Sequence, residues 1–168
     1  EFVDVGAKLA GMDAAGIDVA VLSLSPTLFF YEVEPDEAVA FARRANDALA
    51  ELVDGQERLH ALAHLPLQAP DEAAAELTRC VEELGFRGAQ IGTSAGGGRP
   101  IDDPAHDAVL AAAARLGVPL MLHPYYVGPK PGLEDYYFTN SLGNPIDTTV
   151  AAARLLHADV LDRFPSLS

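Results

Sequence analysis

Apolar residues recur along this chain in two alternating patterns, stripes of helical period and short unbroken runs. Residues 7–15 (AKLAGMDAA) place Leu9 and Met12 at helical spacing and stop at Gly16, after which Ile17 to Leu24 predicts a buried strand. The same order returns at residues 71–84, where Asp71 is placed to cap a helix with Leu77, Val81 and Leu84 on one face, before Gly85 and a strand from Arg87 to Ile91. It returns again after Asp103-Pro104. There Val109, Leu110, Ala113 and Leu116 form the buried stripe, and Gly117 precedes a strand from Pro119 to His123. Between the first and second units, Ala38, Phe41, Ala42, Ala45, Leu49 and Leu52 predict a helix over residues 36–53, followed by Asp54-Gly55 and a strand from Leu59 to Leu65. A last helix is expected from about residue 147 to 160.

Strands separated by single helices pair in parallel with the helices outside, so the pattern admits a doubly wound open sheet or a (β/α)8 barrel. A barrel of eight units takes about 250 residues. Only about four strands are legible here, so the barrel reading is that of a partial α/β (β/α)8 TIM barrel, a single incomplete domain over residues 1–168. Pro165, in the tail Asp162 to Ser168, ends the last helix where another strand is expected to begin.

Composition narrows the function classes. With 168 residues, 49% hydrophobic, and a mean hydropathy of +0.13, the chain suffices for one core. Apolar runs such as Val118 to Leu122 are far shorter than the roughly 18–20 residues of a membrane span, so no membrane partner is expected. The sequence opens Glu1-Phe2-Val3-Asp4, without Met, basic segment or apolar signal core. Cys80, the single cysteine, lies in a helical pattern and is expected to be a packed thiol in a reducing cytoplasm. Eleven Lys plus Arg against 25 Asp plus Glu give a net charge of -14, which argues against nucleic acid. Solvated acidic helix faces explain that charge without naming a substrate.

In either parallel architecture the ligand site lies at the carboxyl ends of the strands. Those ends read Ser23-Leu24-Ser25-Pro26, His64-Leu65-Pro66, Gly92-Thr93-Ser94 and His123-Pro124-Tyr125-Tyr126. His123 is the leading candidate: an imidazole at a strand end, with Pro124 forcing an extended exit, projects into the site as a metal ligand or general base. The competing reading is a buried histidine bonded to backbone. His64 is read as supporting or structural, and His60, His106 and His157 as structural or exposed. Gly96-Gly97-Gly98 before Arg99 lacks the spacing of a phosphate loop and is read as a flexible loop. Tyr125, Tyr126, Tyr136, Tyr137 and Phe138 flank the Gly- and Pro-rich segment Val127 to Leu133, a lid or an interface loop. Ser25, Thr93, Tyr125 and Tyr126 are the substrate-facing candidates.

The segments MDAAGIDVAVLSLSP, ARRANDALAELV, RLHALAHLPLQAPDEAAAEL, ELGFRGAQIGTS, LGVPLMLHP and DRFPSL, in this order, carry a resemblance to the amidohydrolase-related superfamily, in its aminocarboxymuconate-semialdehyde decarboxylase-like branch. The resemblance implies that His123, in LMLHP, binds a catalytic divalent metal, usually zinc. It also implies a His-x-His pair on the first barrel strand, a histidine on the strand after FPSL, and an aspartate near the last strand; none is matched in this chain. The chain is therefore expected to be a central fragment, lacking the first strand and the last several, that alone binds metal weakly and catalyses little. The implied activity is non-oxidative decarboxylation of an aromatic or unsaturated carboxylic acid, a small-molecule substrate, with no organic cofactor. A metal-dependent hydrolase of amides, lactones or esters is the first alternative and a non-catalytic truncated barrel the second. The branch also implies a homodimer.

Overall fold

The computed structural model describes residues 4–125 and 131–168. Helix α1 (Val5–Ala15) is capped by Asp4, whose carboxylate accepts from Ala7 N at 2.9 Å, and ends at Gly16 in the left-handed conformation. Strand β1 (Ala20–Leu22) follows, then α2 (Pro35–Val53) and strand β2, which runs through Leu59–Ala61 and Ala63–His64 with a break in pairing at Leu62. Helix α3 (Pro70–Glu82), strand β3 (Ala89–Gly92), α4 (Asp107–Leu116) and β4 (Leu120–His123) complete the repeat. Helix α5 (Asn144–His157) and the short α6 (Val160–Arg163) close the chain.

All four strands are parallel and pair in chain order. On one side of β2, Leu62 N donates to Leu22 O at 2.8 Å; on the other, Ala63 N donates to Gly88 O at 2.8 Å. β3 then pairs with β4, matching Gly92 with His123. Each strand joins its predecessor on the same side, which is barrel order rather than the reversing order of a doubly wound sheet. At the outer edge of β4, Leu120 N donates to Ser168 O at 2.9 Å.

Side-chain alternation splits this sheet into two faces. Leu59, Ala61, Ala63, Leu65, Ala89 and Ile91 point to the helices and are all buried. Burying each of the larger ones stabilises the fold by about 1.5–3 kcal/mol. The opposite, inner face carries Val21, Ser23, His60, Leu62, His64, Gln90, Met121 and His123. Val21 and Met121 there are 53% and 42% exposed.

The helix side is locked by a polar network. Asn46 on α2 exchanges two hydrogen bonds with the His64 main chain, at 3.0 and 2.8 Å, and donates to Glu76 on α3 at 2.8 Å. Arg79 completes it with bonds to Glu76 at 2.9 and 2.7 Å and to Asp47 at 2.8 Å. Burial alone would raise the Glu76 carboxyl, but hydrogen bonds from Arg79 and Asn46 outweigh it and hold the group below its ordinary range.

Several sequence expectations are corrected. The buried strand Ile17 to Leu24 is a three-residue edge strand with Ile17, Val19 and Val21 exposed, because β1 has a single strand neighbour. Asp71 lies in the first turn of α3 rather than capping it; Pro70 opens the helix, since its fixed φ and missing N–H suit that position. The glycine loop is a tight hairpin, Ser94–Ala95 against Arg99–Pro100. A Cβ on Gly96 would lie 2.2 Å from Tyr31 O, so glycine permits this packing. His106 is fully buried, His60 half-buried and His157 exposed.

Candidate metal and substrate site

The carboxyl ends of the strands carry the polar groups, and His123 is the last residue of β4 on the inner face. Its ring Nδ1 lies 2.9 Å from Pro124 O. A carbonyl only accepts, so Nδ1 carries the proton and, in the neutral ring, Nε2 carries the lone pair. Among the described residues no hydrogen bond engages Nε2. A main-chain carbonyl on one imidazole nitrogen and a free lone pair on the other is the arrangement of a metal-ligating histidine.

An aromatic wall stands beside it, built by the segment after β1. Phe29 meets His123 edge to face with centroids 6.4 Å apart, and stacks on Tyr31 at 5.1 Å and on His64 at 5.9 Å. Tyr125 packs against Tyr31 at 4.9 Å and Phe29 at 5.6 Å. Tyr31 Oη accepts from Gly92 N at 3.1 Å, an approach that glycine allows because a Cβ there would lie 2.8 Å from the Tyr31 ring. Burial pushes the Tyr31 hydroxyl up, and burial followed by the Glu32 charge does the same to Tyr125, so both are neutral hydroxyls at ordinary pH.

His64 is 3% exposed, lies between Phe29 and Phe41, and has an Nδ1 with no partner among the described residues. Burial lowers its pKa to about 4, so the ring is neutral. Gln90, beside it on the inner face, is held by Ser23 Oγ at 2.6 Å and Leu24 O at 3.1 Å.

The sequence-derived candidates separate. Tyr125 joins His123 through the aromatic wall. Ser25 is exposed and pairs with Thr27 at 2.9 Å. Thr93 turns its hydroxyl to Asp147 on α5, at 2.5 Å. Tyr126 lies outside the described residues. Phe29, Tyr31 and Asp147 were not singled out from sequence: the first two sit in LFFYE, outside the strand ends, and Asp147 reads as an ordinary helix-start acid.

Among the described residues no group of three or more His, Cys, Asp or Glu could hold a metal ion. A catalytic zinc site takes three protein ligands with an open position. His123 fits one ligand position, and the others must come from elsewhere. A cavity of about 800 Å³ among the described residues, between α1 and the β1–β2 edge, is lined mostly by apolar groups such as Met12, Ile17 and Leu49; Ser23 reaches it, and His123 does not line it.

A parallel strand–helix repeat in barrel order, with polar groups at the strand ends, defines the class as a (β/α) barrel. Comparison narrows it: the family described as Amidohydrolase matches residues 2–168, and the chain belongs to that family. It is 30% identical over 98% of its length to 2-amino-3-carboxymuconate-6-semialdehyde decarboxylase of Dictyostelium discoideum, covering 46% of that protein. It is 44% identical over 72% of its length to gamma-resorcylate decarboxylase of Rhodococcus jostii (strain RHA1), covering 39% of it. A solved dihydroxybenzoic acid decarboxylase from Polaromonas sp. JS666, with bound manganese and the inhibitor 2-nitroresorcinol, superposes with a TM-score of 0.86 at 31% identity, over 98% of this chain and 53% of that one. The chain thus spans about half the length, or less, of the relatives it matches.

Proposed function

We propose that this chain forms part of a metal-dependent, non-oxidative decarboxylase of an aromatic or unsaturated carboxylic acid. The observation that carries the reading is the His123 imidazole, oriented through Nδ1 by Pro124 O and facing the inner side of the sheet beside Tyr125 and Phe29. Support also comes from relatives, which are decarboxylases of resorcylate, dihydroxybenzoate and aminocarboxymuconate semialdehyde. The four strands would be successive strands of one incomplete barrel domain, with the remaining ligands supplied by the parts of the relatives that this chain does not span.

A divalent metal held by His123 would supply Lewis acidity, binding the acid and stabilising the negative charge that develops as CO2 leaves. His123 holds one coordination position. Phe29 and Tyr31 back Tyr125, whose half-buried ring offers a flat surface to a planar acid. The buried aromatic side of the site excludes water and strengthens charge interactions within it. Ser25 and Tyr126 remain the other substrate-facing candidates from the strand ends; Thr93, its hydroxyl bonded to Asp147, reaches the site only through its main-chain neighbours.

Zinc is the metal proposed here, with the manganese of the Polaromonas protein as its competitor. A cytoplasmic location with no nucleic-acid or membrane partner completes the proposal, supported by the buried free thiol of Cys80, the net charge of -14, and the absence among the described residues of any helix long and apolar enough to cross a membrane; the homodimer rests on the family resemblance alone. The test is CO2 release from 2,6-dihydroxybenzoate and related acids by the full-length protein. Stoichiometric CO2 that disappears with chelation is expected; cleavage of lactones or amides without CO2 from any aromatic acid would replace the decarboxylase by the hydrolase.

A further inference from the structure

The main chain around His123 is held from both sides by one residue. Thr93 N donates to His123 O at 3.1 Å, and Thr93 Oγ1 accepts from Tyr125 N at 3.2 Å. The same hydroxyl donates to Asp147 Oδ2 at 2.5 Å, and that oxygen also accepts from Tyr125 N at 3.3 Å. Thr93 is 4% exposed, and Asp147 lies in the first turn of α5. The last main-chain bond between the β3 and β4 segments runs from Thr93 N to His123 O, and at Tyr125 N side chains take over the hydrogen bonding of the exit segment.

Tyr125 N–H and Pro124 C=O belong to one peptide unit, which is planar and rigid. Whatever holds the N–H therefore also aims the C=O. Pro124 O is the group 2.9 Å from His123 Nδ1. The geometry points to a carboxylate–peptide–imidazole relay: Asp147 and Thr93 fix and polarise the Pro124–Tyr125 peptide, which in turn orients His123 and raises the basicity of Nε2 towards a divalent metal. The electronic part follows from the cooperativity of hydrogen-bond chains in a low-dielectric interior: an acceptor on the N–H strengthens the carbonyl as an acceptor. Groups that support a ligating imidazole change metal affinity or activity by about 10–100-fold when removed. Thr93 and Asp147 are thus positioning residues, acting on the metal through two intervening groups and touching neither metal nor substrate.

This inference rests on the metal-dependent reading above, and its test separates the two. Metal-stripped full-length protein is titrated with Zn2+ and with Mn2+ alone, and the dissociation constants are compared for wild type, Thr93→Val, Thr93→Ser and Asp147→Asn, with Tm measured alongside. The relay predicts that Thr93→Val and Asp147→Asn weaken metal binding by about tenfold or more, while Thr93→Ser, which keeps the hydroxyl, stays within about threefold of wild type. A purely structural role would lower Tm and leave the dissociation constants unchanged, and that result overturns the relay. If Thr93→Val does not fold, Asp147→Asn, which preserves shape and removes charge, decides the matter by the same criterion. Wild-type protein that takes up no metal sinks the metal-dependent reading itself; wild type that binds metal beside two variants of equal affinity sinks only the relay.

Discussion

Phe29 meets His123 edge to face, its ring centroid 6.4 Å from the imidazole and the two planes at 80°. Phe29 is also fully buried, so it fills the space under both strand-end histidines. Replacing it with Ala removes that volume and is expected to cost about 3–5 kcal/mol. Phe29→Leu should cost about 1–2 kcal/mol while tilting the Tyr125 ring. Denaturant unfolding of the full-length protein gives the stabilities, and a variant within about 0.5 kcal/mol of wild type would show that the ring is not packed as described.

His64 gives the fold a pH dependence whose sign is fixed. Its folded pKa of about 4 lies below the ordinary 6.5, so protonation favours the unfolded chain. The associated stability is fully present above about pH 6.5 and is lost as pH falls towards 4. Between pH 7 and pH 5 this one group should remove about 2 kcal/mol. A His64→Leu variant should show that much less loss over the same interval; equal slopes for variant and wild type would mean that His64 is accessible to protons in the folded state.

The buried network at Glu76 makes a sharper demand. Removing one partner leaves charge or hydrogen-bonding groups unpaired, so Glu76→Ala, which abandons Asn46 and Arg79, should cost about 3–5 kcal/mol. Glu76→Gln retains acceptor capacity and should cost less. Thermal unfolding of both variants checks the order, and the reverse order would contradict the hydrogen-bond assignment.

Gly92 is pinned by its neighbours rather than by its backbone angles. A Cβ there would meet Ser94 O and the Tyr31 ring at 2.8 Å and Tyr125 Cβ at 3.1 Å. Gly92→Ala should therefore destabilise by about 1–3 kcal/mol and change the near-ultraviolet tyrosine signal as Tyr31 and Tyr125 separate. An unchanged spectrum would place those rings elsewhere.

Much of this architecture was legible in sequence because each unit carries its own punctuation. Gly16, Gly85 and Gly117 adopt the left-handed conformation at the turns where they were expected, and the strands that follow are parallel and in barrel order. Strand lengths and burial were less legible. The apolar run Ile17 to Leu24 reads as a buried strand, and within this chain β1 pairs with β2 alone, so its burial depends on neighbours and not on its own residues. At the proposed site, the strand-end rule and LMLHP single out His123, which the fold places at the end of β4 on the inner face. The Phe29–Tyr31 wall escaped notice because it lies in an irregular connection, and the role of Asp147 because it depends on a contact 54 residues from Thr93.

The most direct measurement is the metal content of the full-length protein purified without chelators, beside His123→Ala prepared in the same way. About one divalent ion per chain is expected in the wild type, and its loss in the variant. A metal-free wild type, or a metal retained without His123, would contradict this expectation and leave His123 as a packed histidine at the end of β4.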